Sequence, residues 1–200
     1  MNTVRPLHFC DVTVGGERWP VFGWAIDGPA GTILVDTGMI DSTPSLDEEW
    51  GPVLHPWPEL GSVTAVINTH LHFDHCGGNR RLAGTPTFVQ RAELEAAAGP
   101  DYLTEWVHFE GESYVELAGD AALFDGVSVL FTPGHSPGHQ AVVVETREGL
   151  VVLGGDVTYS MRELIGAVEG SGASPSIRRI HDLKPALVYL AHHEQPWRPE

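Results

Sequence analysis

The chain opens with three apolar runs, RPLHFCDVTV, WPVFGWAI and TILVDTG, divided by the glycine-bearing breaks GGER and DGPAG. Runs of this length, rich in β-branched and aromatic residues, predict three strands in antiparallel succession. SVTAVIN at 62–68 predicts a buried strand and TPTFVQ a further one, while GVSVLFT, HQAVVVET and LVVLGGD follow one another at hairpin spacing. Between these, GGNRRLAG reads as a turn with a short helix, and RAELEAAAG as a helix stopped by Gly99 and Pro100. A last helix with Ser174 as N-cap and Pro175 in its first turn runs through IRRIHDL, before a strand at ALVYLA. The proline-bearing stretch 39–61 reads as a loop or short helix over something apolar, and 101–119 as a second variable stretch. Strands, helices, strands, helix and strand in that order predict an α+β fold, two sheets with helices outside.

The polar residues fall at telling places in this pattern. INTHLHFDH, FTPGH, LGGD and YLAHH each set His or Asp just after an apolar strand. Strand ends of this kind can converge on one rim of a sheet core, where rigid elements hold the loops.

Composition narrows the partners. Two hundred residues, 42% of them hydrophobic and 19% charged, suit one folded domain spanning 1–200. A formal net charge of −16 repels phosphate backbones and anionic lipid, so neither nucleic acid nor membrane is an expected partner. MNTVRPLHFCDVTVGG has no apolar signal-peptide core, and no run approaches bilayer-spanning length, which predicts a cytoplasmic protein. Cys10 and Cys76 are too few for a disulfide framework and read as thiols. The eleven histidines are the feature that stands out.

In HLHFDH, His70 and His72 lie two apart and face one way in an extended segment, while Asp74 and His75 follow in the turn. Four groups in six residues that offer imidazole nitrogen or carboxylate oxygen suit a borderline-soft ion such as zinc. A polar loop with satisfied histidines is the alternative reading of this run alone.

Taken with TPGHSPGH at 132–139, GGD at 154–156 and the terminal AHH, the sequence resembles the metallo-β-lactamase superfamily over nearly its whole length. The resemblance implies a four-layer αββα sandwich with the metal site at one edge of the two sheets. It implies two divalent ions, zinc first among candidates that include iron, manganese and cobalt. His70, His72 and His135 would hold one ion, Asp74, His75 and His192 the other, and Asp156 both. The implied chemistry is hydrolysis by a metal-bridging hydroxide, with Asp74 returning a proton to the leaving group. His192 rather than His193 matches the terminal ligand; His139 holds loop geometry, and Asp36 in VDTG orients the ligand loop. Cys76 reads as a buried thiol. His8, His55, His108 and His181 carry no motif and read as ordinary surface or core histidines.

Within the superfamily, THLHFDHCGG, VQRAELEAA, TPGHSPGHQ, GGDVTYS and HHEQ resemble the N-acyl-homoserine lactonases. That implies a lactonase of the quorum-quenching kind, in which the Tyr159 phenol hydrogen-bonds the substrate. The partner would be a small ester or lactone, and the assembly a monomer or homodimer. Trp24, Met39, Trp50, Trp57, Tyr102 and Trp106 sit on or beside loops suited to an apolar acyl channel. Thioester hydrolysis of the glyoxalase type, or hydrolysis of another small ester, is the alternative; a non-catalytic metal-binding scaffold is disfavoured by the complete ligand set.

Overall fold

A computed structural model describes residues 1–166 and 174–199. The strands are β1 (Thr3–Val14), β2 (Glu17–Gly28), β3 (Gly31–Val35), β4 (Val53–Leu54), β5 (Val63–Ile67), β6 (Thr87–Gln90), β7 (Tyr114–Leu117), β8 (Ala121–Phe124), β9 (Val127–Phe131), β10 (Gln140–Thr146), β11 (Gly149–Leu153) and β12 (Leu187–Tyr189). The α-helices are α1 (Pro44–Glu49), α2 (Phe73–Cys76), α3 (Arg91–Ala96), α4 (Thr104–Val107), α5 (Met161–Gly166) and α6 (Pro175–Asp182).

Among the described residues, seven strands form one sheet in the order β4-β1-β2-β3-β5-β6-β7, and five form the other in the order β12-β11-β10-β9-β8. The three opening strands pair antiparallel, as their short glycine turns require, while β3, β5, β6 and β7 are parallel neighbours. In the smaller sheet β9, β10 and β11 form an antiparallel meander, and β12 lies parallel to β11.

Burial explains why several strands read as unbroken apolar runs rather than alternating ones. Val142 and Val144 of β10 face the core between the sheets, with Trp24, Ile26, Ile33 and Ile67. Ala141 and Val143 face the opposite way and pack with Leu164 of α5 and Ile177 and Ile180 of α6. Both faces of the strand are therefore apolar. Helices also cover the larger sheet, where Leu46 and Trp106 pack on Cys10, Val12 and Val21. The result is four layers, helix, sheet, sheet and helix, as the resemblance implied. Each fully buried Ile or Leu of these layers contributes about 1.5–3 kcal/mol.

Strand direction sets the position of the functional groups. β3 and β5 run parallel in one sheet; β9, β11 and β12 share a direction in the other. The segments after these five strands carry Asp36, the HLHFDH run, His135, Asp156 and His192. At that rim the Phe22 amide donates to the Ala191 carbonyl at 2.9 Å, tying the sheets together.

Some elements differ from the sequence reading. The variable stretch 101–119 contains α4 and β7, too short for a period to declare itself. β4, β8 and α5 were likewise not anticipated. The proline-bearing stretch does hold a short helix, α1, capped by Thr43, whose hydroxyl accepts from the Leu46 amide at 3.3 Å. Ser174 caps α6 in the same way, accepting from Ile177 at 3.2 Å. No helix among the described residues is long and apolar enough to cross a membrane.

Candidate metal centre

The HLHFDH run leaves β5 as an extended segment and turns into α2 at Phe73, with His72 at the N-cap. That change of backbone lets four polar groups from six residues meet one small volume. The His135 Nε2 lies 3.1 Å from His70 Nε2 and 2.9 Å from His72 Nδ1. Asp156 reaches the same space, its Oδ2 standing 3.6 Å from His135 Nε2 and 3.3 Å from His192 Nε2, and its Oδ1 3.4 Å from His75 Nε2. Asp74 Oδ2 lies 3.7 Å from both His75 Nε2 and His192 Nε2. Three overlapping donor groups result: His70, His72 and His135; His70, His75 and Asp156; and Asp74, His75 and His192, each with its ligand atoms within 4.8 Å of one another.

The opposite side of each ring shows what fixes it. Asp36, in a left-handed conformation at φ 54°, accepts from the Thr69 amide and the Thr69 hydroxyl at 2.7 Å each, and its Oδ2 meets His75 Nδ1 at 2.9 Å. The Thr69 hydroxyl also meets His70 Nδ1 at 3.0 Å, so His70 Nδ1–H donates to an oxygen whose own proton goes to Asp36. His192 Nδ1 donates to the Pro20 carbonyl at 2.9 Å. His135 Nδ1 meets the Tyr159 hydroxyl at 3.0 Å. With these nitrogens engaged outward, Nε2 of His70, His75, His135 and His192 faces the shared space, the second-nitrogen arrangement that orients metal-binding imidazoles.

Protonation follows from burial and charge. Burial pushes His70 and His72 below the ordinary imidazole value and takes His135 down to about 4, so all three are neutral donors at pH 7. Burial works the same way on His75 and His192, but the Asp156 and Asp74 carboxylates outweigh it and raise both. Burial favours protonation of Asp156, yet His192 and His75 hold its pKa well below the usual carboxylate range.

Two atoms test whether cations suit the cluster. His75 Nε2 and Asp156 Oδ1 are buried without a hydrogen-bond partner, although buried polar atoms are nearly always paired. Neutral imidazole nitrogens also converge at hydrogen-bond distance, where lone pairs repel unless a proton or metal lies between. Five imidazoles and two carboxylates are a donor set for divalent zinc, manganese, cobalt or iron.

The neighbouring histidines separate cleanly. His193 Nε2 meets the Tyr159 backbone carbonyl at 3.0 Å instead of entering the cluster. His139 uses Nδ1 on the Thr132 carbonyl at 3.0 Å and accepts the Asp156 amide at Nε2, 3.1 Å away, holding the loop that carries Asp156. Cys76 is buried, its thiol donating to Leu71 O at 3.3 Å, and burial raises its pKa, so it is an inert part of the core.

One residue of the site had no sequence signal. Glu93 of α3 is fully buried; its Oε1 accepts from the Leu71 amide at 2.9 Å and the Tyr102 hydroxyl at 3.0 Å. Its Oε2 accepts from the Ser136 hydroxyl at 2.6 Å and the Gly138 amide at 2.9 Å. It thus ties the segment between His70 and His72 to the one after His135. A Cβ at Gly138 would collide with the Glu93 backbone, which explains glycine there. A short helix with Glu93 beside Leu94 suggests Leu94 as the inward residue, so the pattern hides the carboxylate.

The cluster floors a cleft of about 630 Å³. Asp74, Asp156, His72, His135, Tyr159 and His192 line its base, and Val12, Trp19, Leu46, Trp50, Phe73 and Leu103 form an apolar wall. Of the anticipated channel residues, Trp50 and Tyr102 reach the cleft. Trp24 instead fills the core between the sheets, Met39 and Trp106 pack behind the wall, and Trp57 lies on Phe9 at 5.3 Å. Trp19, 5.6 Å from Tyr159 between ring centroids, is a wall residue the sequence did not single out.

Sheets stacked between helices, with imidazoles and carboxylates gathered where the strands end, define a metal-dependent hydrolase class. Residues 16–192 match the family model of the Metallo-beta-lactamase superfamily, and the chain belongs to that superfamily. An N-acyl homoserine lactonase from Bacillus cereus is 34% identical, the match covering 86% of this chain and 81% of that protein. The structure of an N-acyl homoserine lactone hydrolase with the product N-hexanoyl-L-homoserine bound at its catalytic metal center aligns with a TM-score of 0.77 and 29% identity, covering 96% of this chain and 92% of that one. A Bacillus thuringiensis AiiA variant with N-decanoyl-L-homoserine bound at its active site aligns equally, at TM-score 0.77 and 29% identity over the same shares.

Proposed function

We propose that this chain is a dinuclear metal-dependent hydrolase that opens the ring of N-acyl homoserine lactones, a quorum-quenching activity. The observation that carries the reading is the meeting, in one cleft, of the His and Asp cluster, the Tyr159 phenol and an apolar wall. The relatives, named for the same reaction, support it.

In this reading His70, His72 and His135 would hold one ion, Asp74, His75 and His192 the other, and Asp156 both. Zinc is the proposed metal. When bound, such ions make water nucleophilic at neutral pH and stabilise a developing oxyanion. With His135 Nε2 given to a metal, its Nδ1–H would donate to the Tyr159 oxygen, leaving the phenol proton for a substrate oxygen. Burial, together with the Asp156 and Asp74 carboxylates, raises the Tyr159 pKa, which keeps that proton in place at neutral pH. Asp74, at the cleft base, would carry the proton from attacking water to the departing ring oxygen as the acyl–oxygen bond breaks. The acyl chain would lie along Trp50, Phe73 and Leu103.

Proton release by the zinc-, manganese-, cobalt- or iron-loaded protein tests this, with acyl-homoserine lactones set beside S-lactoylglutathione and an arylphosphodiester. The expected result is fastest turnover of a lactone. Faster thioester turnover would replace lactonase with thioesterase while leaving the metal site intact.

A further inference from the structure

A second group of metal-ligating side chains lies outside the cleft. His8 Nε2 and His55 Nε2 approach the two oxygens of Asp11, each at 2.9 Å, and the ligand atoms of the three residues lie within 4.8 Å of one another. We propose that His8, Asp11 and His55 form a separate surface site for a divalent transition-metal ion of the zinc type, independent of the lactonase reading.

Backbone architecture brings these residues together. Positions three apart in a regular strand point to opposite faces, yet β1 has an irregularity between His8, which pairs with Phe22, and Cys10, which pairs with Val21. The extra residue, Phe9, resets the alternation, so His8 and Asp11 share a face while Phe9 and Cys10 are both buried. The Phe9 carbonyl accepts the His55 amide at 2.9 Å, carrying the β1–β4 pairing one residue past β4 and setting His55 beside β1. Packing then fixes the rings: His8 stacks on Phe22 at 4.8 Å and meets His55 at 4.2 Å between ring centroids.

The donor geometry fits a small ion. Bonds of about 2.0–2.2 Å in a tetrahedron set donors about 3.4 Å apart, and the donor atoms here, with the two His–Asp contacts at 2.9 Å and all three residues' ligand atoms within 4.8 Å, span that spacing. His8, Asp11 and His55 are 36%, 24% and 33% exposed, leaving an ion open to water at its remaining position. Burial works to protonate Asp11, but hydrogen bonds with His55 and His8 hold its carboxyl below the usual value, so it is an anion ready for a cation. Two protonated imidazoles at this spacing would repel each other; one dication satisfies both ring nitrogens and the carboxylate. Its binding would displace the Nε2 protons into solvent.

Equilibrium dialysis of the full-length protein against Zn(II), with elemental analysis and thermal melting, tests the site. Wild type is expected to bind one equivalent more than His55→Ala or His8→Asn. That equivalent should be first to leave on titration with chelator, and lactone turnover by the cleft should be the same in all three proteins. Equal zinc content in wild type and both variants, with all three folded, would overturn the proposal and leave a carboxylate clamped by two imidazoles. Should one variant melt early, the other decides.

Discussion

At the base of the cleft, His70 and His75 are wholly buried, and both are tied through their second nitrogen to Asp36, directly or through Thr69. On the cleft wall, Trp50 and Phe73 hold each other by ring contact at 5.4 Å, and Leu103 is the N-cap of a four-residue helix. The base is fixed by charge and directional hydrogen bonds that tolerate little displacement. The wall is fixed by non-directional apolar contact that many side chains would satisfy. Chemistry and substrate preference are thereby separated: changes at the base should act on metal content and turnover, and changes in the wall on KM.

The largest effect should come from Asp156→Ala, which removes the carboxylate between the two donor groups. Metal content by elemental analysis and turnover should fall together to background, and a variant with full metal and full activity would break the distinction. Next, Tyr159→Phe should lower kcat on the order of 10²-fold, the usual effect of losing a donor to a developing oxyanion, with metal content unchanged. Glu93→Gln leaves shape intact but turns an amide toward one of two donor pairs. It should cost about 2–4 kcal/mol in denaturant unfolding and weaken metal binding about 10-fold or more, measured by chelator competition. The smallest effect belongs to Trp50→Ala. Each methylene that loses its apolar contact weakens binding by about 0.8 kcal/mol, roughly fourfold, so KM should rise several-fold for a decanoyl lactone and little for a butanoyl one, with kcat unchanged.

Legibility in the sequence divides along the same line. The base was readable because chemistry restricts its residue types and each group follows an apolar strand: HLHFDH, the histidine of FTPGH, the aspartate of LGGD and the first histidine of AHH meet in one cluster. Asp36 was readable by its motif, and its hydrogen bonds to Thr69 and His75 give it the expected orienting position. Glu93 was not, because one buried carboxylate in a six-residue helix has no pattern of its own. Wall residues were read poorly for a physical reason: tryptophan serves core and cleft alike, and only the fold sends Trp24 to one and Trp50 to the other. The His8, Asp11 and His55 group was invisible because it needs both a strand irregularity and a contact 44 residues away in sequence.

The most direct measurement is the ratio of kcat/KM for an acyl-homoserine lactone to that for S-lactoylglutathione, taken on the zinc-loaded protein and on Tyr159→Phe. The expected ratio is well above one and falls in the variant while zinc content holds. A ratio below one, or a ratio indifferent to Tyr159, would contradict it.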